Sequence, residues 1–98
     1  MAQRKVTILD KAVEAVASVA YFIEGKGQPV TAKRFVDDAF AFFQKLGDSR
    51  IKYKPCTKHE WADEGYRCAP FGKKFVVAYL DLDDEILICD FAAQKSIH

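Results

Sequence analysis

Phe75-Val76-Val77-Ala78-Tyr79-Leu80, then Asp81-Leu82-Asp83-Asp84, then Glu85-Ile86-Leu87-Ile88-Cys89-Asp90-Phe91: this stretch decides the fold. Both runs are apolar on either side of a strand. Phe75, Val77 and Tyr79 alternate with Val76, Ala78 and Leu80, and Ile86 and Ile88 alternate with Leu87, Cys89 and Phe91. Strands of that kind belong in the middle of a covered sheet. The acidic tetrapeptide between them reads as a short hairpin loop. Asp81, Asp83 and Asp84 resemble a calcium-loop fragment, but a tight hairpin is too short to be one.

Upstream, Tyr66 to Ala69 is predicted as a further strand, ended by Pro70 and Gly72. Residues 57–65 form a polar loop or short turn carrying Trp61, and Arg50 to Lys54 alternates like a strand until Pro55 interrupts it. Before that the period changes. Ala32, Phe35, Val36, Ala39, Phe42, Phe43 and Leu46 follow i, i+3, i+4, i+7 spacing, with Lys33, Arg34, Asp37, Asp38, Gln44 and Lys45 opposite. Pro29 and Thr31 start this helix and Gly47 is placed as its C-terminal cap. A preceding helix runs from Lys11 to Glu24, with Asp10 as N-cap and Gly25 and Gly27 ending it. Its polar residues fall on one narrow stripe, so burial on most sides is expected. The short link makes the two helices antiparallel neighbours. Arg4 to Leu9 alternates as a first strand. The sum is one α+β domain spanning residues 1–98: an N-terminal strand, a helix hairpin, then an antiparallel sheet built from the C-terminal half.

Composition bounds the function. Half of the 98 residues are hydrophobic and 13% are aromatic, ample for a packed interior. Fifteen Lys and Arg against fourteen Asp and Glu give a formal charge of +1. Bulk charge therefore gives no support to non-specific nucleic-acid binding, which would need a local patch. The start does not read as a signal peptide, and no run reaches the roughly 20 apolar residues of a membrane span. Cys56, Cys68 and Cys89 are an odd number, and reduced thiols in a cytoplasmic protein are the simple expectation. Cys56-x-x-His59 with Cys68 lacks a fourth zinc ligand, and no third group orients a Cys–His pair for nucleophilic catalysis. Trp61 is either a lid over the core or an exposed anchor for a partner.

The order β-α-α-β-β-β, the helix pattern Ala32-x-x-Phe35 ending near Leu46, the Gly65-Tyr66-Arg67 step into a strand, and the final pair of apolar strands together resemble the ParE/RelE superfamily of toxin–antitoxin toxins. The resemblance covers nearly the whole chain. It implies a plasmid-stabilisation type of toxin that poisons DNA gyrase (ParE-like) or cuts ribosome-bound messenger RNA (RelE-like). It also implies a cognate antitoxin that wraps a helix or strand around the toxin, and no cofactor or metal. Arg67 matches the family position for a phosphate-facing arginine.

Cutting RNA through the 2′-hydroxyl needs a base, a cation over the phosphate, and an acid for the leaving oxygen. Arg67, Lys52, Lys54 and His98 are the candidates for that chemistry, and Arg67, Lys52, Lys54 and Lys74 for contacts to a target or phosphate. Lys52 and Lys54 share a face by their spacing, or else are the solvated side of an edge strand. The near-neutral charge and the Asp90-Phe91-Ala92-Ala93 ending leave the cutting machinery incomplete. The leading expectation is thus a ParE-like binding toxin with Trp61 and Phe40 among its partner contacts. A RelE-like endoribonuclease and a non-toxic interaction domain of the same fold are the alternatives.

Overall fold

The computed structural model of the chain describes residues 3–94. Its elements are β1 (Lys5–Ile8), α1 (Asp10–Gly25), α2 (Pro29–Lys45), a short α3 (His59–Asp63), β2 (Arg67–Phe71), β3 (Phe75–Asp81) and β4 (Glu85–Ala93). The sheet order is β1-β4-β3-β2. The strands apolar on both sides, β3 and β4, are the central pair. The last three strands form an antiparallel meander, and β1 adds in parallel beside β4 with Val6 opposite Ile86 and Ile8 opposite Ile88. The sheet is therefore mixed.

The helix hairpin covers one face. Ala12, Val16, Ala39 and Phe43 from the helices meet Val77, Tyr79, Ile86, Ile88 and Phe91 from the strands. Phenylalanine rings fill the centre: Phe35 lies 5.3 Å from Phe75, and Phe75 stacks on Phe91 at 5.2 Å with 16° between planes. Phe91 reaches this face through a bulge. Ala78 pairs with Asp90 but Tyr79 pairs with Ile88, so Cys89 is an extra residue in the ladder. Strict alternation had placed Phe91 with Leu87 and Cys89. The inserted residue transfers it to the side of Ile86 and Ile88.

The helices begin and end for local reasons. Leu9, not Asp10, is the N-cap of α1, and Asp10 sits in the first turn, where its negative charge complements the helix N-terminus. Pro29 opens α2 at a position whose N–H has no helical partner anyway. Gly27 takes φ +81 in the link, as a left-handed position requires. Gly47 does not have that role, since Leu46 is the C-cap of α2 and Gly47 has no positive φ. Its lack of a side chain instead lets β1 pass close by, with the Arg4 N–H donating to Gly47 O at 2.9 Å. The Arg4 guanidinium then reaches the carbonyls of Leu46 and Asp48 and pairs with Asp81 at 2.8 Å, tying the end of α2 to β1 and β3.

The second face of the sheet is covered by irregular chain. Arg50 to Lys54 is extended but forms no ladder strand; it is held to the sheet by hydrogen bonds of Tyr53 and Lys54, and an isolated bridge joins Pro55 to Arg67. The polar segment after it folds into α3, and Trp61 packs with Cys56 on Val76 and Ala78. Cys56 and Cys68 are joined as a disulfide, their Cα atoms 4.9 Å apart, and Cys89 is a buried free thiol. The expectation of reduced thiols throughout is corrected: the Pro55 bridge brings the two cysteines side by side. Pro70 lies inside β2 rather than ending it. The Cys68 N–H points outward to Lys54 O at 3.0 Å. Pro70, two residues on, shares that outer side, where its missing N–H breaks no ladder bond.

Candidate functional site

Two regions hold the side chains available for recognition. The first is the helix hairpin. In α1 only Ala12 and Val16 are buried, so the expectation of burial on most sides fails. Tyr21 is 79% exposed, Phe22 63% and Val30 73%. Beside them runs an open groove of about 310 Å³ floored by Ala17, Ala20, Ala32 and Val36, with Glu24 and Lys33 on its rims. Small residues make the groove because alanine side chains hold the helices together without filling their outer seam. Val13, Ala17 and Tyr21 recur every four residues, and that spacing was the available signal for a second apolar face.

One edge of the sheet is also open. The Leu9 N–H donates to Ile88 O on β4, whereas the Arg4 N–H points away to Gly47 O. Because these groups alternate along a strand, Lys5 and Thr7 serve the ladder, and Val6 and Ile8 direct their N–H and C=O groups outward. At the opposite edge, β2 is occupied by residues 54–56 and interrupted by Pro70.

The second region is the basic arm pair. Arg67 begins β2 and its Nη1 donates to Tyr53 O at 2.6 Å, so this arginine fastens the 50–56 segment to the sheet. Lys52 and Lys54 are exposed on that segment. The structure therefore lays the segment that carries Lys52 and Lys54 alongside Arg67 at the β2 edge. Lys74 lies at the far end of the β2–β3 hairpin, five residue steps along it and about 16 Å away. His98 lies outside the described residues. Next to Arg67, the Tyr79 hydroxyl accepts the Tyr53 N–H at 3.1 Å, and burial pushes its phenol pKa up. With Tyr79 1% exposed, that hydroxyl is closed to a substrate.

The two expected partner contacts fare differently. Trp61 is 5% exposed, capped by Lys58 at 5.0 Å from its ring, and is a lid rather than an exposed anchor. Its polar neighbours in sequence hid the apolar surface it covers. Phe40 is half-buried with its ring against Phe43 at 5.5 Å. Among the described residues, no group of His, Cys, Asp and Glu is arranged to hold a metal ion, and no helix is long and apolar enough to cross a membrane.

By sequence, no protein family and no curated protein matches the chain. By structure, it is similar to a chain of the "Chromosomal ParDE TA system from P. aeruginosa", with a TM-score of 0.77 at 15% identity, covering 93% of this chain and 96% of that one. The similarity runs the length of both chains, and the fold is that of a ParDE component.

Proposed function

We propose that this chain is a ParE-like toxin, or a relative derived from one, in a type II toxin–antitoxin pair. It acts in the cytoplasm by occupying a macromolecular surface such as that of DNA gyrase and is neutralised by a cognate antitoxin. The observation carrying this reading is the end-to-end likeness to a ParDE chain, joined to an apolar groove left open on the helix hairpin. A partner helix fits such a groove, and a partner strand extends an open sheet edge such as that of β1. Binding is favoured over cutting because the chain is near neutral in charge and the tyrosine beside Arg67 is buried, closed to a substrate.

A RelE-like endoribonuclease is the second reading, favoured by the exposure of Lys52 and Lys54 on the segment that Arg67 fastens. Induced expression of the full chain tests both. Growth arrest with altered plasmid supercoiling and intact transcripts supports the ParE-like reading, whereas arrest with ribosome-dependent transcript cleavage replaces it with the nuclease. Absence of arrest removes both and leaves an interaction domain. Where arrest occurs, Arg67→Ala reports whether the basic arm touches the target. Co-expression of the neighbouring open reading frame should restore growth, and Ala17→Arg in the groove should abolish binding of that partner to the purified chain.

A further inference from the structure

The cover over the second sheet face is attached at its two ends and weakly in its middle. At the ends, Tyr53 is held by Tyr79 and Arg67, the Cys68 N–H donates to Lys54 O at 3.0 Å, and the Cys56 N–H donates to Tyr66 O at 2.9 Å. The middle, residues 57–65, contains a helix of only five residues with no side-chain cap. A helix that short has no stability of its own. Trp61 is its one buried side chain, and the disulfide closes the excursion at its base.

We infer that the Cys56–Cys68 disulfide is a redox-labile clasp, opened by a dithiol reductant, whose opening releases residues 57–65 and Trp61 from the sheet. The two cysteines differ in exposure. Cys56 is 5% exposed, whereas Cys68 is half-buried at the sheet edge. A thiolate of the reductant attacks Cys68 Sγ, and Cys56 leaves as a thiolate and takes up a proton. The second thiol of the reductant then displaces Cys68, which also gains a proton, and the reductant departs as its own disulfide. Two electrons and two protons have passed to the protein. Cys89 does not compete: its thiol is buried against Leu87 O, and burial pushes its pKa up.

Opening uncovers Val76, Ala78 and Ala92, an apolar strip on the side of the sheet away from the helices. It also loosens the two arms that carry Lys54 and Arg67, since each lies within two residues of a bridged cysteine. The clasp thus sets both the exposure of an apolar face and the presentation of the basic residues. In a cytoplasmic protein, disulfides are usually transient or redox-sensing. The clasp itself stands on the geometry, and only its reduction in the cell rests on the cytoplasmic location proposed above.

The full chain, purified without reductant, is compared before and after dithiothreitol. Trp61 is the single tryptophan, so its emission reports this segment alone. Reduction should shift the emission to the red and raise acrylamide quenching. Subsequent iodoacetamide should label Cys56 and Cys68 but not Cys89. Hydrogen exchange at the Cys56 and Tyr66 amides should accelerate roughly 100-fold, the loss of closure for a loop of this size, while amides of β3 and β4 stay protected. The inference is overturned if the untreated chain already carries Cys56 and Cys68 as thiols, or if Trp61 emission is unchanged after reduction. It is equally overturned if all amides accelerate together. The variant carrying Cys56→Ser and Cys68→Ser should reproduce the reduced state, and retained quenching protection in it counts against the clasp. Should that variant not fold, the reduced wild-type chain decides.

Discussion

Gly47→Ala should destabilise the fold although Gly47 has no positive φ. A methyl group built there meets Gln3 Nε2, comes within 2.8 Å of Arg4 O, and within 2.9 Å of Val6 Cγ2. The Gln3 side chain can swing away, at the loss of its 2.7 Å bond to Gln44 O. Arg4 O cannot. Its residue is fixed by the backbone bond to Gly47 and by a guanidinium spread over the end of α2 and Asp81. Overpacking of this kind costs about 1–3 kcal/mol, and restricting the unfolded chain returns about 0.4–1 kcal/mol. The net loss is about 1–2 kcal/mol, which lowers Tm by about 4–16 °C for a domain of this size.

Thermal unfolding followed by circular dichroism measures this directly, and Gly25→Ala supplies the control. Gly25 ends α1, and a methyl group there meets nothing within 4 Å. That substitution should raise Tm by a few degrees, through a gain of about 0.5–1 kcal/mol. If Gly47→Ala is neutral or stabilising while Gly25→Ala behaves as expected, the close approach of β1 to the end of α2 is wrong.

Two further perturbations follow from the core and the polar clamp. Phe91→Ala should cost about 3–5 kcal/mol in urea unfolding, because Phe91 is 3% exposed and its ring touches Phe35, Phe43, Phe71 and Phe75. Arg4→Met should cost about 3 kcal/mol at neutral pH, since it strands the Asp81 carboxylate, whose side chain is 7% exposed and whose Oδ2 has no partner. Burial pushes the Asp81 pKa up, but the Asp83 N–H and the Arg4 guanidinium outweigh it and hold the carboxyl below its ordinary value. A folded-state pKa so depressed adds stability that is complete above about pH 4 and is lost as pH falls through it. Without Arg4 the buried carboxyl protonates more readily. The difference in urea midpoint between wild type and Arg4→Met should therefore shrink as the pH falls, starting above about pH 4 where the stranded carboxyl of the variant takes up its proton; a constant difference would show that the ion pair is not its source.

Legibility followed the range of the interactions involved. The second helix was readable because Phe35, Phe42, Phe43 and Leu46 keep one period without interruption, and the central strands because both their faces are apolar. The first helix was misjudged, since Val13, Tyr21 and Phe22 are as apolar as Ala12 and Val16. Only the position of α2 leaves the former outside. The bulge at Cys89 has no compositional mark; a single extra residue displaced Phe91 to the other face. Pairing of Cys56 with Cys68 depends on where Pro55 meets Arg67, a contact made across the chain. Among the candidate site residues, Arg67, Lys52 and Lys54 could be grouped from local alternation and resemblance. Nothing local showed that Arg67 is engaged by Tyr53 or that Trp61 is covered.

On the proposed toxin reading, the placement of the two candidate regions limits how neutralisation would work. The groove lies on the outer side of the helix layer and the open edge is β1, whereas Lys52, Lys54 and Arg67 lie at β2, the opposite edge of the sheet. A partner helix in the groove, even with a strand added to β1, leaves the basic arms uncovered. If the helix layer meets the target, an antitoxin in the groove competes directly, and the pair Lys52→Glu and Lys54→Glu should leave both arrest and rescue intact. If the basic arms meet the target, the same pair should abolish arrest, because reversing two charges turns attraction for phosphate into repulsion. Rescue by a partner confined to the groove would then require a second contact near β2. Growth arrest scored with and without the partner separates the two arrangements, and the ParE-like reading with its site in the helix layer fails if the charge reversal removes toxicity from a folded chain.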